Sequence, residues 1–301
     1  MQDKNCHVLL CPQKPGSSSS SKKMASQKGK TGLTLYKNAV NKVQELFLGL
    51  LLLPASYKAV FYWFLVILGS FICDFLPIPQ SYFSNRRNVL NVYFVKWSWG
   101  WTLCLLSPHI FLTSAVYTYG NIVTMIRNLT RLAVGTAFWY FWVNLFLYIK
   151  QETGSCVGDK TTTAILACRK KGFHWYEFDI SGHTFLLIYC CLIIAEELQI
   201  MRDWDSVIFH MEPRNDKQKL KYWHSVVTPL AKALLWSTGL LQILWEFMFL
   251  WTCLYFHTVS QKVLGAVVAI FTWLVTYKMW YKFRISPGLP WKPRHTESKQ
   301  P

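Results

Sequence analysis

Charged residues are scarce in this 301-residue chain: Asp, Glu, Lys and Arg make up 16% of it, against about a quarter in soluble globular proteins. Acidic side chains are the scarcer kind, 15 against 32 basic ones, which leaves a net charge of +17. An ordinary water-soluble domain is excluded, because apolar runs too long for a soluble core stand where the charge is missing. Metal-binding signatures are missing too. The nine cysteines include no CxxC pair and no Cys/His run with zinc-ligand spacing. No stretch repeats internally. The longest polar stretches, residues 1–43 and 150–181, are too short for a second catalytic domain.

What the chain has in plenty is apolar surface, with 52% hydrophobic and 17% aromatic residues. At roughly 20 apolar residues per crossing, the runs predict spans at 60–76, 94–114, 132–149, 184–201, 229–256 and 263–281. The expected fold is all-α: a polytopic membrane protein with about six transmembrane helices in one bundle. Residues 46–53 are apolar but stop at Pro54 and Lys58, so they are expected as an interfacial helix leading into the first span. Residues 1–43 hold the serine run 17–21 and eight Lys without apolar periodicity, the composition of a disordered basic tail. The first apolar run begins too late for a cleaved signal peptide. The expected division is a tail over 1–43, a six-span membrane domain over 44–285 and a short cytosolic tail over 286–301.

Six spans place both termini on one face. If that face is cytosolic, it carries 22 of the 32 basic residues and the far face nine, as the positive-inside rule requires. The positive excess is then topological and calls for no nucleic-acid partner. The loop over 150–181 falls on the far, lumenal face. Cys156 and Cys168 share that loop, and in an oxidising compartment a disulfide between them and a pair of free thiols are both open readings. Glu196, Glu197 and Glu246 lie within spans, where carboxylates are expensive. Their expected role is an interhelical hydrogen-bond cluster joining spans four and five.

The residues that carry chemistry stand at the entrance of span four, in Phe178-Asp179-Ile180-Ser181-Gly182-His183, and at the exit of span five, in Tyr255-Phe256-His257. Span four runs inward from the far face and span five returns to it, so His183 and His257 share a membrane side. Ser181-Gly182-His183 adds a turn at a helix start, where free N–H groups and the positive dipole end favour phosphate. That argues for phosphoryl chemistry. A lone interfacial His is more often a hydrogen-bonded packing residue, so the matched depth of the two is what raises them to candidates. A zinc site on His183, His257 and Asp179 lacks a third imidazole or thiolate at that depth, His174 being the one candidate, and no metal or other cofactor is expected.

These residues resemble a known family. The match covers nearly everything from Ser81 to Pro290: Ser81-Tyr82, then Ser84-Asn85-Arg86-Arg87-Asn88-Val89-Leu90-Asn91-Val92-Tyr93-Phe94-Val95-Lys96, Thr153-Gly154-Ser155-Cys156, the two histidine segments, Ser260-Gln261-Lys262-Val263 and Ser286-Pro287-Gly288-Leu289-Pro290. Together they are similar to the fat storage-inducing transmembrane proteins, relatives of the membrane lipid phosphatases, and the intact Ser-Gly-His is similar to the type 2 branch. The resemblance implies an endoplasmic reticulum enzyme that cleaves the diphosphate of fatty acyl-CoA on the lumenal side. The products would be acyl 4'-phosphopantetheine and adenosine 3',5'-bisphosphate. It also implies a part in lipid droplet formation and contact with membrane lipids, triacylglycerol and diacylglycerol among them. By similarity to lipid phosphatases, His257 would attack phosphorus to give a phosphohistidine, and His183 would protonate the leaving oxygen and later activate water.

The chain departs from the lipid phosphatase pattern around the nucleophile. Their cationic phosphate-binding motif is replaced here by Leu250 and Trp251, and the Asp that orients the nucleophilic His is replaced by Gln261. On sidedness, Arg86, Arg87, Lys96 and Lys262 are the candidate phosphate cations beside Ser181 and Gly182, and Asp179 is the candidate orienting carboxylate. Two rival readings stand beside the hydrolase. A non-enzymatic protein that binds and partitions triacylglycerol would use the histidines structurally. A membrane O-acyltransferase would need more spans and a His deep in the bundle.

Overall fold

The structure, a computed structural model, describes residues 36–76, 79–159, 161–206 and 217–290. The basic tail up to residue 35 and the C-terminal tail from 291 lie outside the described residues. A first unit ends at Leu50 and holds helix α1 over 36–51 but for its last residue, so the helix begins within the stretch expected as tail. Val43, Leu46 and Leu50 are exposed on it at helical spacing, which makes one side of α1 apolar.

The second unit, from Leu51 onward, is a helical bundle. Its long helices are α2 (Ala55–Phe75), α3 (Ser98–Tyr117), α4 (Ile122–Glu152), α6 (Gly182–Glu197), α7 (Lys217–Tyr255) and α8 (Val259–Trp273). A short helix α5 (Ile165–Lys170) and a two-stranded hairpin, β1 (Ser155–Val157) with β2 (His174–Tyr176), fill the α4–α6 loop. Sequence chemistry sets the helix starts. Asn121 accepts the amides of Val123 and Thr124 at the head of α4, Ser181 caps α6 and a Thr258/Gln261 capping box opens α8.

Among the described residues, five helical stretches are long and apolar enough to cross a membrane: Ala55–Cys73, Ile122–Glu152, Gly182–Ser206, Gln218–Tyr255 and Val259–Lys282. The chain is thus a multi-pass membrane protein. Helix α3, expected as the second span, has 20 residues but is not among these stretches, and Pro108 stands inside it. Its polar side chains explain the difference: Thr102, His109, Thr113 and Ser114 are buried against the bundle rather than lipid. The helix still runs the depth of the protein. Lys96, just before it, shares a cavity with the start of α6, and the Tyr117 hydroxyl at its far end donates to the Ile200 carbonyl beyond the end of α6.

Helix α6 is the axis. Every residue from Thr184 to Glu197 is buried, and α2, α3, α7 and α8 pack around it. An apolar helix with no polar face requires such a position.

The intramembrane carboxylates correct one expectation. They do not join spans four and five. Glu197 takes a bidentate bond from Arg131 on α4, at 2.8 and 2.9 Å, and a third from the Tyr277 hydroxyl at 2.7 Å. Glu196 pairs with Lys278 at 2.7 Å and accepts from the Trp273 indole. Glu197 therefore ties α6 to α4 and to the segment continuing α8, and Glu196 ties it to the end of α8 and the same segment. Glu246 on α7 accepts from Tyr62 of α2 at 2.6 Å, with Lys58 at 3.7 Å. A buried carboxylate needs cations and hydroxyls wherever they stand, and here they stand on other helices. Arg131 and Lys58, counted above as cytosolic-face charges, are buried in the bundle.

Arg131→Met alone leaves Glu197 buried against Tyr277 without its cation. It is expected to cost about 3 kcal/mol or more, read as a fall in apparent Tm in detergent. Arg131→Met with Glu197→Gln is expected to recover most of that loss. A single variant as stable as the parent contradicts the assignment.

Candidate active site

The first turn of α6 is held from two directions. The Ser181 side-chain oxygen accepts the Thr184 amide at 3.3 Å and lies 2.8 Å from the Thr184 hydroxyl, which fixes Gly182 and His183 as the first helical residues. The Ser181 amide donates to the Gln261 carbonyl in the first turn of α8 at 3.1 Å. Gly265, one turn further along α8, permits the approach: a Cβ there would stand 2.7 Å from the Ser181 carbonyl oxygen.

His257 sits in the break between α7 and α8, with φ of 63°. That left-handed conformation costs a non-glycine residue free energy and persists where surrounding structure imposes it. Its Nδ1 lies 3.3 Å from Gln261 Oε1. The same oxygen accepts the Thr258 amide at 3.2 Å. An amide oxygen only accepts, so Nδ1 carries the imidazole proton and Nε2 keeps its lone pair. Burial lowers the His257 pKa, with Asp179 opposing and Arg86 adding to the fall, so neutral imidazole is favoured.

Both histidines line one cavity of about 350 Å³, together with Arg86, Asn91, Lys96, Asp179, Gly182 and Phe256. Its other wall is apolar, made by Val143, Phe146 and Leu147 of α4. Arg86 also lies over the Phe256 ring at 5.9 Å, a cation–π contact that holds it beside His257. Among the described residues no carboxylate pairs with Arg86, Arg87 or Lys96. The cavity and its rim thus carry unneutralised positive charge next to two imidazoles, an arrangement suited to a multiply charged anion.

Of the residues expected at the site, His183, His257, Gly182, Arg86, Lys96 and Asp179 are brought together. Three are not on the cavity lining. Lys262 is wholly buried and donates to the Cys253 carbonyl at 2.7 Å, because the α8 helix turns it back toward the end of α7. The Ser181 hydroxyl is engaged in its cap. Arg87 is exposed on the loop beside Arg86. Asp179 is paired with Lys150 at 3.1 Å, and Lys150 also meets Glu177 at 3.1 Å, so the end of α4 clamps the segment entering the site. The loop carrying that segment is closed by a bond between Cys156 and Cys168. Among the described residues no three His, Cys, Asp or Glu side chains are placed to hold a metal ion.

Sequence reasoning missed Asn91 and the part played by Gln261. Asn91 is buried on the cavity wall with its Oδ1 unpartnered, while its amide nitrogens bond to Asn88 and Asn85. The signal was the spacing Asn85, Asn88, Asn91, three side chains able to fold a loop on itself. For Gln261 it was the position four residues after His257, one helical turn away.

The family model for the fat storage-inducing transmembrane proteins matches residues 79–149 and 145–277. The chain is 43% identical over 239 residues to a Xenopus laevis protein named acyl-coenzyme A diphosphatase FITM2, covering 77% of this chain and 85% of that one. The Homo sapiens protein of the same name is 40% identical over 249 residues, 79% of this chain and 89% of its own length. The Drosophila melanogaster protein of that name is 34% identical over 241 residues, 73% of this chain and 56% of its own. No solved structure matches the chain.

The tautomer is directly measurable. Nitrogen-15 spectra of histidine-labelled protein are expected to show His257 protonated on Nδ1 and bare on Nε2. Gln261→Glu is expected to raise the pKa of this imidazole, since a carboxylate stabilises the cation. An Nε2–H tautomer in the wild-type chain contradicts the geometry.

Proposed function

This chain belongs to the fat storage-inducing transmembrane protein family, and we propose that it acts as a membrane acyl-coenzyme A diphosphatase in which His257 and His183 divide the chemistry. The observation that carries the reading is the pair of histidines on one cationic cavity, one of them held through Nδ1 by Gln261. Arg86 and Lys96 draw the diphosphate between the imidazoles, and the α4 wall of Val143, Phe146 and Leu147 accepts the apolar side of the substrate.

Nε2 of His257 attacks one phosphorus of the diphosphate and forms an N–P bond as the bond to the bridging oxygen breaks. The departing half leaves as a phosphomonoester, and His183 supplies a proton to the bridging oxygen. The half retained on His257 is then released by water, whose proton returns to His183 as its oxygen bonds to phosphorus. The sum is one water consumed, with acyl 4'-phosphopantetheine and adenosine 3',5'-bisphosphate formed. Gln261 supports the first step by keeping the proton of His257 on Nδ1. Asp179, bonded to Lys150 at the end of α4, positions the segment that carries His183 into the cavity.

The same reading places the protein in the endoplasmic reticulum membrane, with both termini cytosolic and the cavity lumenal, where its product supports lipid homeostasis and lipid droplet formation. The bias of basic residues toward the opposite face supports that orientation, as does a disulfide in the loop beside the cavity.

The test is release of adenosine 3',5'-bisphosphate from oleoyl-CoA by purified protein in detergent. His257→Ala and His183→Ala are each expected to lower the rate by about a thousandfold while leaving the bundle folded. A well-folded His257→Ala protein with the wild-type rate ends the enzymatic reading.

The pH profile gives an independent check. The nucleophile must be neutral, so the acid limb of kcat/KM follows the pKa of His257 and lies below the ordinary imidazole range. Asp179 raises that pKa and Arg86 lowers it. Asp179→Asn is therefore expected to move the limb to lower pH and Arg86→Gln to higher pH. Limbs that stay in place, or move in the same direction, contradict the assignment.

A further inference from the structure

A second, open cleft of about 730 Å³ lies beside the reaction cavity, lined by Gln80, Ser81, Tyr82, Ser84, Asn85 and Tyr255. The two spaces share a partition. Asn85 faces the cleft and Arg86 the cavity, and Tyr255 and Phe256 divide in the same way. Residues adjacent in the chain thus line the two spaces.

The cleft differs in chemistry from the cavity wall of α4. It offers hydroxyls and amides rather than methyl groups, and Tyr82 on its lining is 57% exposed. The ring is held in place, because its hydroxyl accepts the Val89 amide at 3.2 Å. The Ser81 and Ser84 caps and the bond from the Arg87 amide to the Asn85 side chain at 2.8 Å set the shape of the loop. Arg87 is exposed on that loop with no carboxylate partner among the described residues.

We propose that this cleft is the subsite for the adenosine 3'-phosphate half of acyl-CoA, with adenine against Tyr82 and the 3'-phosphate drawn by Arg87. The proposal rests on the diphosphatase reading above. Charge fits it: the diphosphate meets Arg86 and Lys96 in the cavity, and a further cation remains on the cleft loop for the further phosphate. Polarity fits it as well. The acyl-pantetheine half lies toward the apolar α4 wall and the nucleotide toward the polar loop. An exposed aromatic face stacks on any base, whereas the phosphate distinguishes coenzyme A from its 3'-dephospho form.

The test uses the full-length protein in detergent with oleoyl-CoA and oleoyl-3'-dephospho-CoA as substrates, and with adenosine 3',5'-bisphosphate, adenosine 5'-monophosphate and inorganic phosphate as inhibitors. Wild-type protein is expected to show a KM about tenfold lower for the 3'-phosphorylated substrate, and strongest inhibition by the bisphosphate. Arg87→Gln is expected to erase that preference and Arg87→Lys to restore part of it. Tyr82→Ala is expected to weaken inhibition by both nucleotides and leave inhibition by phosphate unchanged, while Tyr82→Phe, which keeps the ring but loses its bond to the Val89 amide, is expected to keep most of the nucleotide inhibition. Equal KM values for both substrates in wild-type protein, or variants whose loss falls on kcat alone, overturn the subsite and leave the hydrolase standing. Failure of the wild-type protein to cleave either substrate removes both.

Discussion

The Ser181 amide donates to the Gln261 carbonyl across 3.1 Å, and both imidazoles depend on that joint. On one side, Ser181 caps the helix whose second residue is His183. On the other, Gln261 opens α8 and holds His257 through its side chain. A displacement of either helix start shifts one imidazole relative to the other. One such bond contributes only about 1 kcal/mol net, so the joint relies on the packing behind it. Gly265 supplies the close approach, and the burial of α6 from Thr184 onward removes its freedom to slide.

The opposite end of α6 is fixed by different means. Glu196 and Glu197 close the helix and are met by Trp273 at the end of α8, by Tyr277 and Lys278 from the segment that continues it, and by Arg131 from α4. The same two neighbours thus hold α6 at both ends. Such pairs are weak evidence of net stabilisation, because desolvation offsets much of the attraction. Their geometric effect is better founded, since a buried bidentate bond tolerates little change in helix depth. Through Arg131 the constraint reaches α4, whose other end presents Val143, Phe146 and Leu147 to the cavity and clamps Asp179 through Lys150.

Much of this was legible in the sequence because membranes impose a coarse rule. Apolar runs of the right length mark the spans, and alternation of spans brings His183 and His257 to one face without knowledge of side-chain contacts. The same logic failed for the charged residues within the bundle. Glu196, Glu197 and Glu246 were legible as functional or structural carboxylates, but which helix answers each depends on rotation about the helix axes, and run length carries no information on that. Lys262 illustrates the limit: it is on the right side by sidedness and yet turned into the bundle toward Cys253. Arg86 and Lys96 are equally anonymous cations in the sequence and both reach the cavity. Asn91 and Gln261 went unassigned because an amide side chain announces its role only when its partners are in view.

The chemistry follows from an asymmetry between two like residues. His257 stands outside the helices in a left-handed conformation, with Nδ1 committed to Gln261 and Nε2 bare, whereas His183 is carried by the first turn of α6. The proposed mechanism gives the first the attack on phosphorus and the second the exchange of protons. The most direct measurement of that division is rapid acid-free quenching of turnover on oleoyl-CoA followed by mass mapping of the histidine peptides. The account predicts a covalent adduct on His257 carrying one half of the substrate, absent from His257→Ala and formed far more slowly when His183 is replaced. An adduct on His183, or turnover at the wild-type rate with His257 replaced, would contradict it.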